Sequence, residues 1–374
     1  MSPRAASTAA SGDVVVMVGT MKGAFFFRGE RTRKKWRIDG PHFPGFAIYA
    51  LMYDARGGKN RMFAAANNSF IGSSLRVSDD FGKTWTEPEQ YPIKFPESSG
   101  RALKQIWQIT PGRADEPDVI YCGVEPAALF ESRDGGENWK PVEGLLNHEH
   151  QPKWQPGAGG LCLHTIVVDP KNKQRMLIAI SAAGNYRTDD GGKTWRARNV
   201  GVRAQFLPDK HPEFGQCVHK VVHHPNNPQR LFLQNHWGLY RSDDWGDSWQ
   251  DVANGVPSDF GFAMQMHPHD IESVYIVPIE SDYFRCTPEA KLRVYRTSNA
   301  GKSWEPLTKG LPQKDAYETI LRDAMGADSL KPAGIYFGTR SGKLFGSSDE
   351  GESWTEMADG LPPIVCVKTT ALNA

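Results

Sequence analysis

The sequence predicts an all-β chain closed into a seven-bladed β-propeller with four-stranded antiparallel blades. Three observations lead there. Six segments of one pattern end in Trp, at positions 85, 139, 195, 249, 304 and 354, spaced by 54, 56, 54, 55 and 50 residues. Between them, short β-prone runs alternate with turns rich in Pro, Asn and Asp, about four runs per interval, as propeller blades do. After the last segment, PIVCVKTTA (363–371) reads as one more strand.

Each segment makes sense as a hairpin turn. They read SDDFGKTW (78–85), SRDGGENW (132–139), TDDGGKTW (188–195), SDDWGDSW (242–249), TSNAGKSW (297–304) and SSDEGESW (347–354). The third-position Asp accepts hydrogen bonds from turn amides. The Gly adopts a backbone conformation other residues resist. Ser or Thr hydroxyls satisfy further turn groups, and the Trp buries a large area. Asn299 replaces Asp in the fifth segment and keeps the acceptor without the charge. These residues serve their own turns, so a structural role is expected of them.

Around each turn lies a fuller unit. An inner strand such as LHTIVVDPKNK (163–173) or VHKVVHHPNNP (218–228) precedes a second strand such as RMLIAIS (175–181) or RLFLQN (230–235). The stretch 14–38 forms a unit without an inner strand of its own. Residues 363–371 are expected to supply that strand, which leaves no open sheet edge between head and tail. Residues 1–12 are expected to be a flexible tail and 13–374 one domain. A six-bladed ring with a decorated N-terminus is the alternative.

The pattern S/T-x-D-x-G-x-T/S-W resembles the Asp box of the BNR-repeat proteins, a superfamily of sialidases and other glycosidases, sortilin-type receptors and a photosystem assembly factor. The resemblance implies the propeller and places the Asp-box hairpins on the face opposite the usual ligand site. It is glycosyl hydrolase-like in architecture rather than in catalytic motif. Where sialidases carry Phe-Arg-Ile-Pro, this chain has FFFRGERT (25–32).

Composition narrows the partners. The formal net charge is +1, so bulk electrostatics point to neither nucleic acid nor membrane surface as a partner. No apolar run reaches the ~18 residues of a membrane span. The opening residues lack a secretory pattern. The five cysteines, Cys122, Cys162, Cys217, Cys286 and Cys366, are odd in number and scattered. They fit free thiols in a reducing, cytoplasmic compartment. Oligomeric state is not legible.

The working face should carry the links from second to third strand and from blade to blade. Long links at 86–104, 143–162 and 200–217 are expected over blades 3 to 5. Four residues are the catalytic candidates: His164, His219, Glu125 and Glu280. The two His start the inner strands of neighbouring blades; the two Glu occupy equivalent places nearly across the ring, where they are acid–base candidates for a glycoside, although the expected span exceeds the roughly 5–9.5 Å such pairs require and pairing with a neighbouring Arg or Lys is the blander expectation. Arg101, Lys104, Trp154, Asn235, His236 and Arg340 are the ligand-binding candidates, the cations suiting an anion and Trp154 a stacking platform. Trp107 is expected in the core. Asp282, Tyr283 and Arg285 open an insertion that reaches toward the mouth. His223, His224 and the HPHD run (267–270) are expected as far-face turn residues.

A doubled Cys-x-His, Cys162/His164 and Cys217/His219, places four ligands on adjacent inner strands and is a candidate zinc set, although satisfied wall histidines are the blander expectation. No cofactor is otherwise required. These readings converge on a small-molecule hydrolase or lyase that takes a small anionic or sugar-like ligand at the central channel mouth. A non-catalytic module gripping a protein partner on the same face is the alternative.

Overall fold

The computed structural model describes residues 13–86 and 91–372. The tail expected at 1–12 lies outside the described residues. No helix among them is long and apolar enough to cross a membrane.

Seven antiparallel sheets form the ring. Their inner strands, in blade order, are Ile364–Ala371, Ala47–Asp54, Gln105–Pro111, Cys162–Val168, Val218–His224, Gly261–Met266 and Met325–Ala327. Each touches the next, and the seventh touches the first. Six blades have four strands. Blade 2 has three among the described residues, and Thr86 N donates to Val77 O (2.8 Å) at its outer edge, beside residues 87–90.

Closure is the one expected from the tail strand. Ile364–Ala371 pairs antiparallel with Val14–Thr20, Val18 opposite Val367 and Val14 opposite Ala371, so chain ends share blade 1. Val14–Thr20 (VVVMVGT) is buried throughout because sheets cover both its sides. Closing the ring this way removes the two edges an open stack would expose.

All six Asp-box hairpins repeat one hydrogen-bond set. The first-position hydroxyl accepts from the fifth-position Gly N–H at 2.8–2.9 Å in every box. The third-position side chain accepts from the seventh-position N–H, as Asp190 does from Thr194 N (2.9 Å) and Asn299 from Ser303 N (3.0 Å). The fourth position is left-handed in every box, even where Phe81, Trp245, Ala300 or Glu350 occupies it. Side chains there normally resist that region, so the network centred on the third-position Asp or Asn holds a backbone that the residue itself disfavours.

The core lies between blades. Trp249 of the fourth box packs among Leu177 and Ala179 of blade 4 and Leu231 and Leu233 of blade 5. Its Nε1 donates to Arg198 O (2.9 Å). Gly201 makes that approach possible: a Cβ there would meet Trp249 O at 2.2 Å. The terminal Trp therefore fastens its blade to the preceding one, which explains why it recurs more strictly than the strands do.

Candidate functional site

A cavity of about 410 Å³ opens at the ring axis, on the side where the inner strands begin, and draws its lining from all seven blades. The inner strands aim residues into it through a repeated device. Their register shifts at Tyr49, Trp107, His164, His219 and the Phe262–Ala263 step of blades 2 to 6. A bulge re-aims its side chain out of the alternating pattern. Tyr49, Trp107, His219 and Phe262 thus line the cavity.

His164 sits at the same bulge but is fully buried in the wall. Its Nε2 donates to Val218 O (2.9 Å) of the next blade, and Nδ1 accepts from Thr165 Oγ1 (2.9 Å). Burial pushes its imidazole well below the usual range. With both ring nitrogens occupied, it stitches blade 4 to blade 5 and has no atom for a substrate or metal. Cys162 is likewise buried and accepts from Arg322 Nη1 (3.4 Å). The expected four-ligand set is therefore corrected. Among the described residues, the metal-competent trio is Cys217, His219 and His236, whose donor atoms all lie within 4.8 Å of one another.

His219 Nδ1 donates to Gly261 O (2.6 Å), so its Nε2 carries the lone pair and faces Cys217 Sγ at 3.7 Å. Burial, with the nearby Arg322 guanidinium, keeps that imidazole neutral, and burial raises the Cys217 thiol. His236 is half-buried and pairs through Nε2 with Asp282 Oδ2 (3.1 Å) on the insertion after blade 6's second strand.

The cations of this cavity are Arg285 and Arg322. Neither makes an ion pair with any carboxylate among the described residues. Each is instead held against an aromatic face: Arg322 lies 5.3 Å from the Trp107 ring centroid and Arg285 5.4 Å from that of Phe262. Phe206 and Trp237 (ring centroids 5.1 Å apart) and Tyr49 complete an aromatic wall.

The floor is a buried ion triad. Asp323 Oδ1 accepts from Lys220 Nζ (2.7 Å) of blade 5 and Lys368 Nζ (3.0 Å) of blade 1. Burial alone would raise the Asp323 carboxyl, but the two ammonium groups outweigh it and hold the carboxyl well below the usual range. Two ammoniums against one carboxylate leave the floor with one excess positive charge. Lys368 also lines a separate cavity of about 330 Å³ on the far side, so the triad plugs the channel.

The remaining candidates fall outside this cavity's lining. Glu125 accepts from Trp107 Nε1 (3.1 Å) and lies 3.8 Å from Lys104 Nζ, and Glu280 is exposed. The two therefore do not converge as an acid–base pair. Trp154, expected as a stacking platform, is core: it is 5% exposed and donates through Nε1 to Tyr186 OH (2.7 Å). Trp107, expected in the core, is the residue that lines the mouth. Asn235 is fully buried and donates to Arg203 O (2.8 Å), shaping the turn that presents His236. Arg101 is half-buried, and Arg340 is exposed without lining the cavity. The link 143–162 contributes Pro156–Gly159 and the link 200–217 contributes Phe206 and Cys217, while the described residues of 86–104 are absent from the lining. His224 and His269 bond main-chain carbonyls of the next blades, as the far-face turn reading expects.

The BNR/Asp-box repeat profile matches residues 76–87 and 186–197. Among curated proteins, the chain is 27% identical over 129 residues to an oligoxyloglucan-reducing end-specific xyloglucanase of Emericella nidulans, covering 33% of this chain and 14% of that enzyme. The chain thus spans far less than two thirds of that relative's length. Among solved structures it is similar to an ancestral GH74 enzyme (TM-score 0.56, 16% identity, 83% of this chain and 38% of that one). It is also similar to YCF48 from Cyanidioschyzon merolae (TM-score 0.55, 13% identity, 84% and 86%). At such identities the likeness to solved structures concerns the fold alone. Repeats, ring and closure agree: the chain is a seven-bladed β-propeller of the Asp-box (BNR) repeat type.

Proposed function

We propose that the protein binds a small, ring-bearing anion, such as a sugar acid, at the central mouth and acts on it as a hydrolase or lyase. One observation carries the reading: two arginines face an aromatic cavity with no carboxylate partner among the described residues. Arg322 spends Nη1 on Cys162 Sγ (3.4 Å) and Arg285 spends Nε on Asp282 O (3.1 Å), which leaves the other N–H groups of each guanidinium for a carboxylate, sulfate or phosphate. The excess positive charge of the floor adds to the attraction, and a cavity of about 410 Å³ suits a ligand of one or two rings.

The chemistry would rest on His236, oriented by Asp282, with Cys217 and His219 beside it. Two-carboxylate glycoside hydrolysis has little support here, because it needs carboxyls roughly 5–9.5 Å apart and one of the two lining carboxylates, Asp323, is locked by two lysines. The free cysteines support action in a reducing, cytoplasmic compartment.

The test is a thermal-shift panel of carboxylated, sulfated and phosphorylated sugars beside their neutral counterparts. Anions should raise Tm, neutral sugars should not, and Arg322→Gln should abolish the difference. Equal effects of charged and neutral ligands would defeat the reading. Product formation from the best anion, lost in His236→Ala, then separates catalysis from binding. A second reading, a docking face for a protein partner, draws on the exposed rim aromatics Phe206 (51%), Tyr283 (98%) and Phe284 (44%).

A further inference from the structure

We propose that Cys217, His219 and His236 form a transition-metal site of zinc type, with its fourth position open to the central cavity. The donor set suits such an ion: one thiolate and two imidazoles from a strand and the turn beside it. The spacing suits it too. Metal bonds of about 2.3 Å to sulfur and about 2.0–2.1 Å to nitrogen, at a tetrahedral angle, put S and N about 3.6 Å apart. Cys217 Sγ and His219 Nε2 stand 3.7 Å apart.

Both histidines carry the outer contacts that metal ligands use. The Gly261 carbonyl takes the His219 Nδ1 proton and fixes the tautomer with Nε2 free. Asp282 Oδ2 holds His236 Nε2 at 3.1 Å, which leaves Nδ1 as the ligand atom. Such carbonyl and carboxylate partners orient imidazoles for a metal and raise their basicity. Cys217 and His219 are buried while His236 is half-buried at the cavity wall, which leaves the solvent side for a water or a ligand oxygen. Binding replaces the Cys217 S–H bond with a sulfur–metal bond and releases one proton to solvent. No redox change occurs.

The site shares the cavity with the anion reading and does not depend on it. The test uses the full chain, freed of metal by a chelator and dialysed, titrated with cobalt(II) in the absence of added anion. One equivalent should bind and give a thiolate-to-cobalt charge-transfer band that zinc(II) displaces. Cys217→Ser should abolish the band, while Cys162→Ser should leave it. His236→Ala, at a half-buried position, should weaken binding at least about tenfold, and Asp282→Asn about 10–100-fold. Should Cys217→Ser fail to fold, these two variants carry the test. Absence of saturable binding, a band that survives Cys217→Ser, or affinity unchanged in His236→Ala would each overturn the proposal. The anion reading stands or falls separately, on the response of Arg322→Gln.

Discussion

Asp323→Asn isolates the plug beneath the cavity. The substitution keeps shape and removes the charge that two lysines share. The Asp323 side chain is 4% exposed, and those of Lys220 and Lys368 are 12% and 26% exposed. Removing one member of a buried ion pair costs about 3–5 kcal/mol, because the partner charge stays buried and unpaired. Lys368 borders the far-side cavity and can turn toward water, which places the expected cost at the lower end, about 3 kcal/mol. Urea unfolding at neutral pH reads it as a fall in midpoint with an unchanged slope. Lys220 is the deeper ammonium, so Asp323→Asn/Lys220→Met should recover more than about 1 kcal/mol of the loss. In the single variant, buried lysines without a counter-charge have depressed folded pKa values, so its stability should climb as pH rises through them. A cost below about 1 kcal/mol would refute the plug. So would loss of ligand turnover at full stability, which would make Asp323 a reacting group rather than a structural one.

Other expectations follow from the same contacts. His164→Ala strands the buried Val218 carbonyl and opens a void, so stability should fall by about 2–4 kcal/mol while anion affinity is unchanged. Chemical denaturation and ligand titration read the two effects. Trp107→Ala should lower anion affinity, whereas Trp154→Phe should cost about 1 kcal/mol of stability and leave affinity alone. Turn hydrogen bonds, against the opposing effect of partial burial, depress the carboxyls of Asp80, Asp134 and Asp190 to about 2. Their contribution is present above the unfolded value of about 3.9 and is lost as pH falls toward 2. Unfolding curves between pH 5 and 2 should lose stability across that window, and replacing the three Asp by Asn, as Asn299 already is, should flatten the acid limb.

The ring was readable because six of its seven blades announce themselves locally. An Asp box encodes its turn within eight residues, and its Trp marks a contact between blades that the six box-bearing blades repeat. The mouth was less readable because its residues are defined by departures from the repeat. Alternation along the strand assigns Trp107 to the core, but the bulge between Ile106 and Gln108 turns it toward the axis. Trp154 lies on a polar link that folds back against Tyr186, a contact between distant segments that no local pattern announces. Asp282 and Arg285 sit on an insertion without counterpart in other blades. Asp323 did leave a signal: it stands six residues before Ser329, as His164 and His219 stand six before Pro170 and Pro225. The missing proline hid the equivalence. Arg322, its neighbour, has no repeated partner, and only the closed ring brings it to Cys162 and Trp107.

A crystal structure of the protein with the most stabilising anion from the panel would show whether the two arginines hold the ligand's charge. The acidic group should lie within hydrogen-bond distance of the Arg322 or Arg285 guanidinium, with the ring against Trp107 or Trp237. Density for the ligand on the Asp-box face, or at the mouth with its charge turned away from both arginines, would contradict it.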